Sequence, residues 1–132
     1  MDKKYELVEE RLGKGNGFLD ANNFSLVKID DLYCELKGEI TNTSMNPYGM
    51  VHGGYIFGLA DTAAGCASVT TGKRAVTLNS NINYLRPGKD TKYLTAVATC
   101  IKNGRTTAVF NVDVFDDEEK KIAQCNTTYY FI

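Results

Sequence analysis

Between Asn46 and Ser68 the chain reads N-P-Y-G-M-V-H-G-G-Y-I-F-G-L-A-D-T-A-A-G-C-A-S, and the residues able to do chemistry gather there. Asp61 is the sole carboxylate of that stretch, and its company is apolar. Ile56, Leu59, Ala60, Ala63, Ala64 and Ala67 recur at helical spacing as one stripe. Gly58, Thr62 and Gly65 make the other face small and uncharged, so the helix is expected to be covered on all sides and Asp61 shielded from bulk water. A charged, unpaired carboxylate in such a place costs roughly several kcal/mol. Residues kept under that penalty commonly have a task. Upstream, His52-Gly53-Gly54 opens the helix, where the first backbone N–H groups lack helical partners. Those donors, the helix dipole and the bare glycines form a site for a polarised carbonyl oxygen. Asn46 adds a side-chain amide donor. Carbonyl activation at one end and a carboxylate further along point to acyl chemistry.

The elements that must hold these groups follow from periodicity. Residues 3–12 read as a short amphipathic helix with Tyr5, Val8 and Leu12 on one side, ended by Gly13, Gly15 and Gly17. Residues 1–23 are thus a helical and loop extension. Strands are expected at 24–29 and 32–40, joined at Asp30-Asp31, with Leu32, Cys34 and Leu36 facing one way. Residues 41–48 form a polar loop before the central helix, and Thr71-Gly72-Lys73 a turn after it. Residues 74–84 alternate, with Val76, Leu78, Ile82 and Tyr84 on one face and Thr77, Asn79, Asn81 and Asn83 on the other. After a turn at residues 86–89, strands at 92–102 and 105–115 are joined by Asn103-Gly104, a strong hairpin signal. Residues 116–119 are an acidic turn, and 121–132 the final strand. An antiparallel sheet wrapped around one long central helix is the α+β architecture that buries such a helix.

Composition narrows the function classes. The 132 residues make one domain, with 43% hydrophobic and 23% charged residues, as in ordinary globular proteins. A net charge of −1 gives no basic surface for nucleic acid or an anionic membrane. With Asp2, Lys3 and Lys4 at the start and no apolar run behind them, no signal peptide is expected, and no run of about 18 apolar residues is present to span a bilayer. Cys34, Cys66, Cys100 and Cys125 are widely spaced and are read as reduced thiols of a cytoplasmic protein, Cys66 as core rather than nucleophile. With one histidine in the chain, no metal site is expected.

The stretch N-P-Y-G-M-V-H-G-G-Y-I-F-G-L-A-D-T-A resembles the signature of hotdog-fold acyl-CoA thioesterases of the phenylacetic-acid-degradation (PaaI-like) branch. Val76 to Pro87, V-T-L-N-S-N-I-N-Y-L-R-P, resembles that branch as well, and the likeness covers roughly residues 24–132. The resemblance implies a dimerising hotdog fold and hydrolysis of an acyl-CoA thioester, with coenzyme A arriving as part of the substrate and no further cofactor. It implies Asn46 and the Gly53 region, with Gly54 beside it, as the carbonyl-polarising donors, and Asp61 as general base or nucleophile. Thr77 would position the water or the carboxylate, and His52 would shape the loop. Arg86, Lys73 and Arg105 are candidates for the coenzyme A phosphates. Tyr55, Phe57 and Tyr84 are candidates for an acyl pocket, although aromatics here serve equally as core.

Geometry adds a demand of its own. Eight helical residues separate Gly53 from Asp61, about 12 Å along the axis at about 1.5 Å per residue. A thioester carbon must lie roughly 3 Å from the attacking oxygen while its own oxygen meets the donors. One helix cannot serve both ends, so an obligate homodimer is expected, and the resemblance implies pairing of dimers into a homotetramer. Two other readings share the fold. A hydratase or dehydratase is disfavoured by the lack of a P-x-x-P-G-rich loop and of a downstream glutamate. A non-catalytic acyl-CoA-binding module is disfavoured by the joint presence of Asn46, the glycines, Asp61 and Thr77.

Overall fold

In the computed structural model, which describes residues 5–13 and 15–132, two short helices lead into a sheet-and-helix body. Helix α1 spans Glu6–Leu12 and α2 spans Gly17–Asn22. Strands β1 (Phe24–Asp30) and β2 (Tyr33–Glu39) follow, then the central helix α3 (Gly53–Ser68). Strands β3 (Ala75–Tyr84), β4 (Tyr93–Asn103), β5 (Thr107–Phe115) and β6 (Lys121–Phe131) complete the chain. All six strands form one antiparallel sheet in the order β1-β2-β4-β5-β6-β3. Lys3 and Lys4, placed in the first helix by sequence, lie outside the described residues.

Side-chain alternation explains how the sheet wraps α3. Cys34 and Leu36 of β2, Leu94, Ala96 and Ala98 of β4, and Phe110, Val112 and Val114 of β5 are buried on its inner face. They join Leu59, Ala60, Ala63, Ala64 and Ala67 of α3 in one core. Alanines on both surfaces let helix and sheet approach closely, and removing that apolar area from water is the main drive for the arrangement. Cys66 is fully buried there, as the apolar pattern predicts, and all four cysteines are free thiols. The helix ends in a 3₁₀ turn at Val69–Thr71, and Gly72 takes a left-handed φ of 87° that few other residues adopt without strain. Helix α1 is tied to the start of β3 by Arg74 against Glu10 at 3.0 Å and by Arg11 Nη1, which donates to the Ala75 carbonyl at 3.1 Å.

Four local features differ from the sequence expectation. Helix α2 occupies residues read as loop; its C-cap, Asn23, adopts φ 59°, a conformation asparagine tolerates. Leu32 sits in the β1–β2 turn with φ 55° rather than in β2. Its N–H donates to Thr70 Oγ1 at 2.8 Å, which holds that unfavourable backbone in place. Asn103 pairs with Ala108, so the β4–β5 connection is wider than a two-residue Asn-Gly turn, with Gly104 N–H donating to the Thr107 carbonyl at 2.8 Å. In β3 the register shifts between Thr77 and Asn79, so a bulge at Leu78 inverts the alternation. Thr77 lies opposite buried Tyr129, and Ile82 opposite buried Cys125, so both face the helix. Val76 falls on the outer face.

Close packing around Gly38 gives a stability prediction. A Cβ there would stand 2.5 Å from the Tyr55 hydroxyl, which donates to the carbonyls of Asn22 at 2.8 Å and Glu39 at 2.9 Å. Gly38→Ala is expected to lower stability by about 1–3 kcal/mol in urea denaturation. Adding Tyr55→Phe to that variant should restore part of the loss, because the clashing oxygen is gone.

Candidate active site

Asn46 organises the approach to α3. Its Oδ1 accepts the N–H groups of Tyr48 at 2.9 Å and Met50 at 3.0 Å, while its own N–H donates to the Met50 carbonyl at 2.7 Å. Such an Asx turn occupies the side-chain oxygen and leaves the amide NH₂ as the group Asn46 can present. The next donors are fixed one by one. His52 N–H donates to the Ser44 carbonyl at 2.8 Å, and Gly54 N–H donates to His52 Nδ1 at 2.8 Å. Tyr55 and Ile56 N–H both donate to the His52 carbonyl, at 3.0 and 3.2 Å. Gly53 N–H is the remaining donor of this turn without a partner among the described residues. His52 therefore acts as N-cap and takes Gly54 out of the set of free donors.

Tyr84 covers Gly53. A Cβ on Gly53 would lie 3.2 Å from the Tyr84 ring and hydroxyl, and that hydroxyl donates to the Gly53 carbonyl at 2.8 Å. Burial pushes the Tyr84 phenol above its ordinary range, with Cys125 adding to the effect. Asn46, Gly53, Tyr84 and Arg86 share the wall of a cavity of about 330 Å³.

Asp61 stands two turns further along α3 and faces a different space. Its Oδ1 accepts the Thr77 hydroxyl at 2.7 Å and the Tyr129 hydroxyl at 3.0 Å. It lines a cavity of about 400 Å³ together with Arg11, Asn16, Phe18, Leu19 and Gly58. The expectation that Asp61 is shielded needs correcting for the single chain. The residue is only half-buried and Thr77 is exposed, because Thr77 lies in β3 and Asp61 against it, and β3 is the last strand of the sheet with no strand beyond it.

The structure thus brings Asn46, Gly53, Tyr84 and Arg86 together, and Asp61 and Thr77 together, but leaves the two groups in separate cavities. Tyr55, a candidate for the acyl pocket, is instead buried, its hydroxyl spent on Asn22 and Glu39; burial, above all, pushes this phenol up to about 12. Lys73 and Arg105 lie away from Gly53, at the end of the sheet where Lys73 Nζ stands 5.1 Å from the Phe131 ring and the Phe131 N–H donates to the Thr106 carbonyl. Sequence reasoning missed Tyr129 and the cavity residues Arg11, Asn16, Phe18 and Leu19. Alternation marks Tyr129 as inward-facing, but nothing local ties it to a residue 68 positions earlier. Among the described residues, no group of three or more His, Cys, Asp or Glu is placed to hold a metal ion.

Comparison with known proteins bears on this arrangement. The family model described as Thioesterase superfamily matches residues 48–123. The acyl-coenzyme A thioesterase PaaI of Escherichia coli is 30% identical over 103 residues, covering 78% of this chain and 74% of that protein. The solved structure of the E. coli PaaI protein from the phenylacetic acid degradation operon superposes with a TM-score of 0.90 at 26% identity, covering 98% of this chain and 94% of that one. A hypothetical thioesterase from Streptococcus pneumoniae, solved with coenzyme A, has a TM-score of 0.79 at 35% identity, covering 83% and 86% of the two chains. Solved variants of a hypothetical thioesterase from the same organism replace an aspartate and a threonine by alanine, 16 positions apart. Asp61 and Thr77 have that spacing.

The cap at the helix entrance gives the next prediction. His52→Ala removes the acceptor for the Gly54 N–H and is expected to destabilise the protein by about 0.5–2 kcal/mol in thermal or urea unfolding. His52→Asn, which offers another capping oxygen, should recover most of that loss. Equal destabilisation by both variants would contradict the capping role.

Proposed function

Because the chain belongs to the thioesterase superfamily, we propose that it hydrolyses an acyl-CoA thioester to the free acid and coenzyme A, with no cofactor beyond the coenzyme A of its substrate. The observation that carries this reading is that one helix carries two half-sites. An unpartnered Gly53 N–H shares a cavity wall with Asn46 at the entrance of α3, and a carboxylate held by Thr77 lies two turns further along the helix. The PaaI likeness and the coenzyme A-bound neighbour support the substrate class.

In this mechanism Gly53 N–H and the Asn46 NH₂ hold the thioester oxygen and stabilise its charge as the tetrahedral intermediate forms. Each such donor is worth about 3–4 kcal/mol elsewhere. Asp61 drives the attack, as general base toward water or as nucleophile. The thiolate of coenzyme A is the leaving group. Since α3 keeps its own Gly53 and Asp61 about 12 Å apart, the donors of one protomer act with Asp61 and Thr77 of the partner subunit.

Strand β3 supports a dimer of that kind. It ends the sheet, so one row of its backbone groups has no strand to pair with. Val76, Leu78 and Leu85 are 48%, 61% and 55% exposed in the single chain, an apolar strip that a second copy would cover. That contact would also shield Asp61 and Thr77, completing the dry surroundings that strengthen the charge interactions. Arg86, which lines the Gly53 cavity, is the candidate to meet a coenzyme A phosphate from one protomer. Lys73 and Arg105 would do so from the other.

Asp61→Asn is expected to cut acyl-CoA hydrolysis by about 10²- to 10⁴-fold, read as free-thiol release across a panel of acyl-CoA esters. Its mass by light scattering and its melting temperature should match those of the wild type. Near-normal turnover by this variant would end the reading.

A further inference from the structure

We propose that Tyr129 is a positioning residue for the hydrolysis proposed above: together with Thr77 it occupies Oδ1 of Asp61 and presents Oδ2 as the reacting oxygen. Tyr129 lies on β6 with no exposed surface. Its hydroxyl stands 2.7 Å from the Asp61 backbone carbonyl and 3.0 Å from Oδ1, so its single proton is shared between two acceptors of one residue. The Thr77 hydroxyl reaches the same Oδ1 at 2.7 Å. Among the described residues no donor pairs with Oδ2. Two donors on one oxygen fix both torsions of the carboxylate, and the oxygen left over is the one free to take a proton or attack.

The surroundings are built for this contact. A Cβ at Gly65 would stand 2.8 Å from the Tyr129 hydroxyl and would collide with the Arg11 guanidinium. Glycine inside a helix is otherwise unfavourable, and here its bare face gives the phenol its path to Asp61. The guanidinium of Arg11 lies 5.7 Å from the centre of the Tyr129 ring and donates to the carbonyl of Ala75, two residues before Thr77. Strands β3 and β6 and helix α3 are thereby joined around one carboxylate. Burial, first, and the Asp61 charge, next, push the Tyr129 hydroxyl well above the ordinary phenol range, so it remains a donor at any working pH.

The role rests on the thioesterase reading, so Asp61→Asn is measured beside it. Tyr129→Phe keeps the ring and removes the donor. It is expected to lower kcat by about tenfold, leave KM within about twofold, and move the acid limb of the kcat/KM–pH profile to higher pH. A purely structural role would leave that limb in place, so a fall in kcat with an unmoved limb overturns the proposal. Wild-type kcat and an unmoved limb, with Asp61→Asn inactive, also overturn it while the thioesterase reading stands. Turnover by Asp61→Asn overturns both. If Tyr129→Phe does not fold, 3-fluorotyrosine placed at position 129 keeps the shape and donates more strongly. The acid limb should then move to lower pH, and an unmoved limb overturns the proposal.

Discussion

The rise of an α-helix fixes much of what this molecule can do. Helix α3 carries both the Gly53 donor and the Asp61 carboxylate, and a stiff rod of eight residues holds them about 12 Å apart. Neither group can move toward the other, since Leu59 and Ala60 between them, and Ala63 and Ala64 just beyond, are clamped in the core without exposed surface. A reaction needing both groups within one substrate's reach then calls for a second helix running the opposite way.

The rest of the fold serves that rod. Alanines on helix and strands allow the close approach that buries it, and His52 and the Asn46 turn settle nearly every donor at its entrance. By elimination one N–H remains, on a residue without a side chain, with Tyr84 packed over it. At the far half, Thr77 and Tyr129 converge on one carboxylate oxygen from two neighbouring strands. The two halves share a logic: the surplus hydrogen-bonding capacity is absorbed by the scaffold, so that only the Gly53 N–H and the Asn46 NH₂ in one, and Oδ2 of Asp61 in the other, are left free.

How much of this was legible in the sequence depends on the range of the interaction. Helix α3 could be placed because its stripe of apolar residues and its glycine entrance are local, and most strands could be placed from alternation. The bulge at Leu78 left no mark in composition, and without it Thr77 reads as facing away from Asp61. The turn at Leu32 looked like strand because a leucine with positive φ is held there by Thr70, 38 residues away. Asn103-Gly104 suggested a tight hairpin, but the pairing of Asn103 itself widened the loop. Tyr129 reaches Asp61, and Arg11 comes to line the same cavity, only through tertiary packing, which no spacing rule encodes. The half-exposure of Asp61 follows from the unpaired side of β3, a feature of sheet order rather than of any short motif.

The claim that two chains share each site is tested most directly by mixing inactive protomers. Asp61→Asn and Asn46→Ala would each be inactive alone. In a mixed dimer one site would carry both lesions and the other neither. After equal mixing and full subunit exchange, about half the dimers are mixed, and the account predicts recovery of about a quarter of wild-type thiol release. Mixed dimers that form, as shown by mass, yet stay inactive would place each site within a single chain and contradict the account.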